Sequence, residues 1–308
     1  MSKILVFGHQ NPDTDAIASA ISFSYLQQQL GKNTEAVALG TPNEETAYAL
    51  NYFNVEAPRV IEQALPETNQ VMLVDHNEAQ QSVADIKELE VLSVVDHHRI
   101  ANFETANPLY YRCEPVGCTN TIILKLYKEH NVAIPKNIAG MMLSAIVSDS
   151  LLFKSPTCTP EDVAAAKELA VLADVDVDVY GLDMLKAGTN LGDKTELAII
   201  NGDAKTFPMG GRNIRIGQVN TVDVDELMAR QDALESAMTT ENAENGFDLF
   251  LLVVTNILTS DSTALVVGEP KEKIEEAFQV TLENNKAVLN GVVSRKKQVV
   301  PPLTNAFN

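Results

Sequence analysis

Three short apolar runs in this chain each stop abruptly at aspartate and histidine, and this pattern limits the possible folds more than any other feature. Residues 3–8 give way to His9-Gln10-Asn11-Pro12-Asp13-Thr14-Asp15, residues 71–74 to Asp75-His76-Asn77, and residues 91–95 to Asp96-His97-His98-Arg99. Short apolar runs of this kind read as strands. Helical patterns lie between them. Ile17, Ala20, Ile21, Tyr25 and Leu26 share one helical spacing within 16–30, and Gly31 follows as a terminator. Residues 44–53 and 80–89 also read as helices, and 35–40 as a further strand. This β-α-β-α order predicts an α/β domain whose largely parallel sheet carries helices on both faces. In such sheets ligands sit beyond the carboxyl ends of the strands.

From 119 to about 187 the pattern turns helical, with Thr159-Pro160-Glu161-Asp162 supplying a capping hydroxyl, a first-turn proline and two acids. Gly188-Thr189-Asn190-Leu191-Gly192-Asp193 reads as a linker and hinge. Beyond it a smaller mixed α/β domain is expected, with strands at 214–219, 247–255, 264–268 and 291–300 and helices at 223–239 and 271–278. Gly210-Gly211 reads as a hairpin turn. A chain of 308 residues is too long for one ordinary core. The expected division is therefore 1–187, a linker at 188–193, and 194–308.

The formal charge of −19 argues against non-specific nucleic-acid binding, which needs a basic footprint. An anionic substrate stays compatible with it, because bound cations can invert the local sign. Cys113, Cys118 and Cys158 are few and odd in number, as in a reducing compartment, and are expected to be buried thiols. The first apolar run is too short for a signal-peptide core, and no stretch approaches the ~20 apolar residues of a membrane span. A cytoplasmic protein without membrane association is expected.

Four of the five histidines, His9, His76, His97 and His98, follow the three strands directly and stand among carboxylates. A single histidine there would read as an ordinary loop residue; the cluster predicts a metal site. Asp13 and Asp15, two apart in a turn, can project towards two ions, although one of them could instead cap the following helix. Imidazole donors favour manganese, cobalt or zinc over magnesium. Asp96 is expected to orient a neighbouring histidine, while His76 reads equally well as a packed neighbour and His130 as a solvated helix-end residue. Far along the chain, Ser294-Arg295-Lys296-Lys297-Gln298 gathers three adjacent cations in an otherwise acidic protein.

The motif around His9, Asp13 and Asp15, Val74-Asp75-His76-Asn77, and Val95-Asp96-His97-His98-Arg99 resemble the successive motifs of the DHH phosphoesterases. The basic stretch from Ser294 to Gln298 is similar to the signature of one branch, the family II inorganic pyrophosphatases. That resemblance spans essentially the whole chain. It implies hydrolysis of pyrophosphate to two orthophosphates in a cleft between the two domains. It further implies that His9, Asp13 and Asp75 hold one ion, and that Asp15, Asp75, His97 and Asp149 hold a second, with Asp75 bridging. The ions would be manganese or cobalt, with magnesium arriving on the substrate. Two ions about 3.5–4 Å apart would activate a water as hydroxide for in-line attack. Lys205, Arg295 and Lys296 would clamp the phosphates, with His98 beside the site as a proton or hydrogen-bond donor. Asp149 enters on the resemblance alone; from the residues it reads equally as a helix-terminal surface aspartate. A homodimer joined through the first domain is implied as well. Two alternatives remain open: a phosphodiesterase of short or cyclic dinucleotides with the same first-half ligands, and a non-catalytic metal or phosphate sensor. A nucleotide enzyme should offer stacking aromatics in its second half, where this chain has few.

Overall fold

A computed structural model describes residues 2–189, 191, 192 and 194–308. Of the expected linker, Asn190 and Asp193 lie outside the described residues. The chain divides into two compact units, one ending at Gly188 and the other beginning at Thr189.

The first unit contains, in chain order, β1 (Ile4–Phe7), α1 (Thr14–Gln29), β2 (Thr34–Ala36), α2 (Glu44–Tyr52), β3 (Gln70–Val74), β4 (Glu90–Asp96), β5 (Tyr110–Cys113), α3 (Thr119–Glu129), α4 (Lys136–Ser150), α5 (Pro160–Ala173) and α6 (Val177–Thr189). Its five strands are all parallel, in the order β2-β1-β3-β4-β5. Every residue of β1 is buried, as are the last four of β3, which explains their unbroken apolar composition; the last four of β4 are buried too and include Ser93 and Asp96. The Thr159 hydroxyl and the Asp162 carboxylate form a reciprocal capping box at the start of α5, where the sequence placed a helix.

Residues 80–89 do not form the expected helix. They make two 3₁₀ turns, Ala79–Gln81 and Ile86–Glu88. Val83, Ile86 and Leu89 recur every three residues, the period of a 3₁₀ turn, and all three join the core. Asp85 is also drawn out of any helix, because its carboxylate accepts the backbone N–H groups of Ala64 and Leu65.

The second unit contains α7 (Glu196–Asn201), β6 (Ala204–Met209), β7 (Arg212–Thr221), α8 (Val224–Met228), α9 (Gln231–Asn245), β8 (Leu249–Asn256), β9 (Asp261–Gly268), α10 (Glu272–Phe278), β10 (Lys286–Leu289) and α11 (Val300–Phe307). Its mixed sheet runs β10-β9-β8-β7-β6, parallel only between β7 and β8. Alternate residues of β8 feed two cores: Leu249, Leu251 and Val253 on one face, Phe250, Leu252 and Val254 on the other. Gly210 and Gly211, with φ of 54° and 77°, turn β6 into β7 as a hairpin needs.

Two expectations in this unit are corrected. Residues 291–300 are not a strand. Arg295–Val299 makes a π-helical turn that runs straight into α11, and the strand lies earlier, at β10. Gln298 folds back to accept from the N–H groups of Val293 and Ser294 and to donate to Gly291, consuming groups a strand would need. The single helix expected at 223–239 is split, because the Arg230 guanidinium turns away to Glu196 and the Leu191 and Lys194 carbonyls. No described helix is long and apolar enough to cross a membrane.

Candidate metal centre

The strands β1, β3 and β4 are neighbours in the sheet, so their carboxyl ends open side by side. Gly8 ends the first, and a Cβ there would come within 2.6 Å of the Ala16 Cβ. Only glycine lets α1 begin so close to the strand, bringing His9, Asp13 and Asp15 to its mouth. Asp13 also caps α1, accepting the Ala16 N–H at 3.0 Å. Asp75 leaves β3 with φ of 56°, a left-handed conformation unusual outside glycine and asparagine, pinned by its N–H donating to the Val95 carbonyl. Asp96 ends β4, and His97 and His98 follow it. Asp149 arrives from elsewhere, one residue before the end of α4.

These ends converge on one cluster. His9 Nε2 is 3.5 Å from both Asp13 Oδ2 and Asp75 Oδ2. His97 Nε2 is 3.3 Å from Asp75 Oδ1 and 4.0 Å from Asp15 Oδ2. Three overlapping triads have ligand atoms within 4.8 Å of one another: His9, Asp13 and Asp75; Asp75, His97 and His98; Asp15, His97 and Asp149. Asp75 belongs to two of them, and all six residues expected to hold ions are brought together. Both imidazoles are oriented from behind. His9 Nδ1 lies 2.8 Å from the Gln10 carbonyl and His97 Nδ1 3.1 Å from that of Val116, which leaves each Nε2 lone pair for the cluster.

Helix α3 completes the wall. The Thr119 N–H and the Asn120 amide donate to Asp15, and the Thr119 hydroxyl donates to Asp75. Among the described residues no lysine or arginine is ion-paired to Asp15, Asp75 or Asp149. Asp149 Oδ2 is buried without any hydrogen-bond partner. Burial and the field of Asp15 push the carboxyls of Asp75 and Asp149 well above the usual range. Carboxylates crowded in this way, with an orphaned oxygen and two oriented imidazoles, form a donor set that fits divalent cations.

Burial disfavours the charged imidazole at His9 and His97, but bonds to Asp13 and Asp75 outweigh it and lift both to about 9. The metal-free cluster therefore carries protons at neutral pH that a cation must expel. Uptake of Mn²⁺ should release protons, and apparent affinity should rise with pH up to about 9. Titration calorimetry in two buffers of different ionisation enthalpy checks this; identical heats in both would contradict it.

The other two histidines of the motifs separate cleanly. Asp96 Oδ1 accepts from both the N–H and Nδ1 of His98, at 3.0 and 2.9 Å, while Oδ2 accepts from Asn77. Asp96 thus orients His98 and leaves its Nε2 outward, on a side chain about half exposed. His76 takes no part in the cluster. It is buried, its Nδ1 meets the Val74 carbonyl and its Nε2 the Ser82 hydroxyl, and burial drops its pKa to about 4.

In the second unit, Lys205 lies on β6, opposite Ile216 in the sheet register, and Lys296 lies in the π-helical turn; both are exposed. Arg295 is held firmly beside them. Its guanidinium donates to the Asp203 carboxylate at 2.7 Å and to the Asp203 and Ile216 carbonyls.

Comparison with known proteins matches residues 3–146 to the DHH family N-terminal domain and 182–306 to the DHHA2 domain. The manganese-dependent inorganic pyrophosphatase of Bacillus subtilis is 62% identical over 307 residues, covering 100% of this chain and 99% of the relative. A protein of Enterococcus faecalis named as a probable manganese-dependent inorganic pyrophosphatase is 68% identical over 308 residues, covering 100% of both chains. The chain belongs to the family II inorganic pyrophosphatases. A crystal structure from Methanococcus jannaschii, described provisionally as of this family, aligns with a TM-score of 0.61 at 39% identity over 99% of each chain.

In this family II pyrophosphatase the residues expected for the site fall in the two matched regions, except Asp149, which lies between them. Sequence reasoning missed Asn77, Thr119 and Asn120, which hold Asp96, Asp15 and Asp75 in place. Asn77, two residues after Asp75 in the motif, was the one with a local signal. Thr119 and Asn120 look like any helix start.

Proposed function

We propose that this protein hydrolyses inorganic pyrophosphate to two orthophosphates with manganese as its resident ion. The observation that carries the reading is the convergence of four aspartates and two oriented histidines, with one buried carboxylate oxygen left unpartnered. His9, Asp13 and Asp75 would hold one ion, and Asp15, Asp75, His97 and Asp149 a second, with Asp75 shared. Manganese or cobalt suits the imidazole donors; magnesium suits the all-oxygen substrate and would arrive with it. Such ions supply Lewis acidity, which makes a water acidic enough to attack phosphorus in line near neutral pH.

The chain's own residues do the rest. Four ligand carboxylates balance two divalent ions, so further cations are needed to attract an anion. Lys205, Arg295 and Lys296 would fill that role by binding phosphoryl oxygens, the lysines as point charges and the arginine through the N–H groups that its bonds to Asp203 and Ile216 leave over. His98, with Nδ1 fixed on Asp96, holds a proton at Nε2 for the departing phosphate. In this reading 1–187 binds the metals, 194–308 binds the substrate, and 188–193, whose first two residues close α6, is the hinge. A homodimer joined along the outer edge of β5, where Tyr110 is exposed, would cover an otherwise open sheet edge. The chain's charge and composition support a cytoplasmic setting without nucleic-acid partners.

Phosphate release from pyrophosphate by metal-stripped protein, re-supplied with Mn²⁺, Co²⁺ or Mg²⁺ beside a dinucleotide control, tests the reading. Rapid release with Mn²⁺ and no cleavage of the dinucleotide is expected. Preference for the dinucleotide would keep the metal centre and overturn the substrate.

A further inference from the structure

The acid pair Glu44-Glu45 opens α2, where negative charge suits the positive end of a helix. Glu44 is exposed and serves that purpose in water. Glu45 does something else. Its Oε1 accepts from the Thr14 hydroxyl at 2.9 Å and also from the Ser148 hydroxyl. Thr14 is fully buried, accepts in turn from the Thr46 hydroxyl at 3.0 Å, and stands in the chain between Asp13 and Asp15. Ser148 directly precedes Asp149. One carboxylate oxygen therefore ties the first turn of α1 to the last turn of α4, two elements that meet only through the fold.

A third contact comes from α6. A Cβ placed on Gly188 would lie 2.9 Å from Glu45 Cβ and 3.0 Å from its Oε2. Gly188 has no backbone conformation that demands glycine; what the missing side chain provides is room for Glu45.

We propose that Glu45 is a positioning residue, which sets the distance between the α1 and α4 ends and so the spacing of Asp13 and Asp15 from Asp149. This rests on the metal reading above. Asp149 has an unpartnered oxygen, and among the described residues no other side-chain hydrogen bond bridges the last turn of α4 and the first turn of α1. α1 and α4 already pack along their lengths, and the Glu45 bridge adds a fixed link at the ends that carry the donors, where metal coordination does not tolerate a drift of a few tenths of an ångström.

Three variants of the full chain test it: E45A, E45Q and G188A. Each is read by direct Mn²⁺ titration of the metal-free protein, by thermal midpoint, and by kcat and KM for pyrophosphate. E45A should weaken Mn²⁺ binding by roughly 10–100-fold and lower kcat more than it changes KM. E45Q should recover most of the affinity, because the amide oxygen can still accept both hydroxyls. G188A should lower the thermal midpoint less than E45A does, since alanine's helix preference offsets part of the clash with Glu45, yet weaken Mn²⁺ in the same direction as E45A by displacing the carboxylate. Parent-like Mn²⁺ affinity in E45A, or an E45Q protein as impaired as E45A, would overturn the inference while leaving the metal centre standing. A loss in E45A that only tracks a lower thermal midpoint, with G188A binding Mn²⁺ like the parent, would also overturn it. If the parent chain binds no Mn²⁺, the metal reading itself fails, and this inference with it.

Discussion

Replacing Asp75 with asparagine should lower pyrophosphate turnover by about 10³-fold or more while making the metal-free protein more stable at neutral pH. Asp75 is the one carboxylate common to two of the triads, so in the proposed two-ion arrangement losing its charge would weaken both positions at once. Charge stabilisation of this kind is worth several kcal/mol in a phosphoryl transition state, which corresponds to about three decades in rate. Asparagine is the informative replacement because it accepts the left-handed backbone that Asp75 adopts, whereas alanine would add strain of its own. The stability gain has the opposite origin. Burial and the field of Asp15 raise the Asp75 carboxyl far above its ordinary 3.8, so the native state holds a proton there that the unfolded chain releases. Stability is therefore lost as pH rises from the unfolded value towards the folded one, and a neutral amide removes that loss. Thermal melts of the stripped proteins between pH 4 and 8, set beside turnover, check both halves. A variant that is inactive and also less stable when stripped would indicate misfolding instead of a missing ligand.

Arg295→Ala should reduce turnover by about 10²–10³-fold, the usual consequence of removing one fixed donor from a site of developing charge. Arg295→Lys should be nearly as damaging. The guanidinium reaches the Asp203 carboxylate, the Asp203 carbonyl and the Ile216 carbonyl together, and a single ammonium cannot span that fork. The same bonds hold the π-helical turn against the β6–β7 hairpin, so either change should also cost about 1–3 kcal/mol of stability. Turnover and denaturant midpoints of both variants provide the check. A lysine variant with parental turnover would show that charge alone matters at this position and sink the geometric argument.

Much of this was legible along the chain. Strand ends carrying His9, Asp13, Asp15, Asp75, His97 and His98 could be read because hydrophobic burial writes an unbroken apolar run, and the polar residue that follows such a run sits where a parallel sheet opens. The Gly210-Gly211 turn and the cap at Thr159 were equally local. Misreadings arose where apolar spacing was ambiguous. Val83, Ile86 and Leu89 fit a 3₁₀ turn as well as a helix, and Val299 fits a strand until Gln298 and the run into α11 turn it aside.

By itself, then, the sequence determined the α/β character of the first unit, the gathering of histidines and aspartates at the strand ends and the clustering of cations at Arg295–Lys297. Only the tertiary structure decided that Asp149 meets Asp15 and His97, that Glu45 joins α1 to α4, and that Arg295 is locked by Asp203, 92 residues away. Periodicity reports which face of an element is buried, which each segment encodes locally. Which two buried ends then touch depends on packing between segments far apart in the chain, and a single sequence carries no signal of that distance.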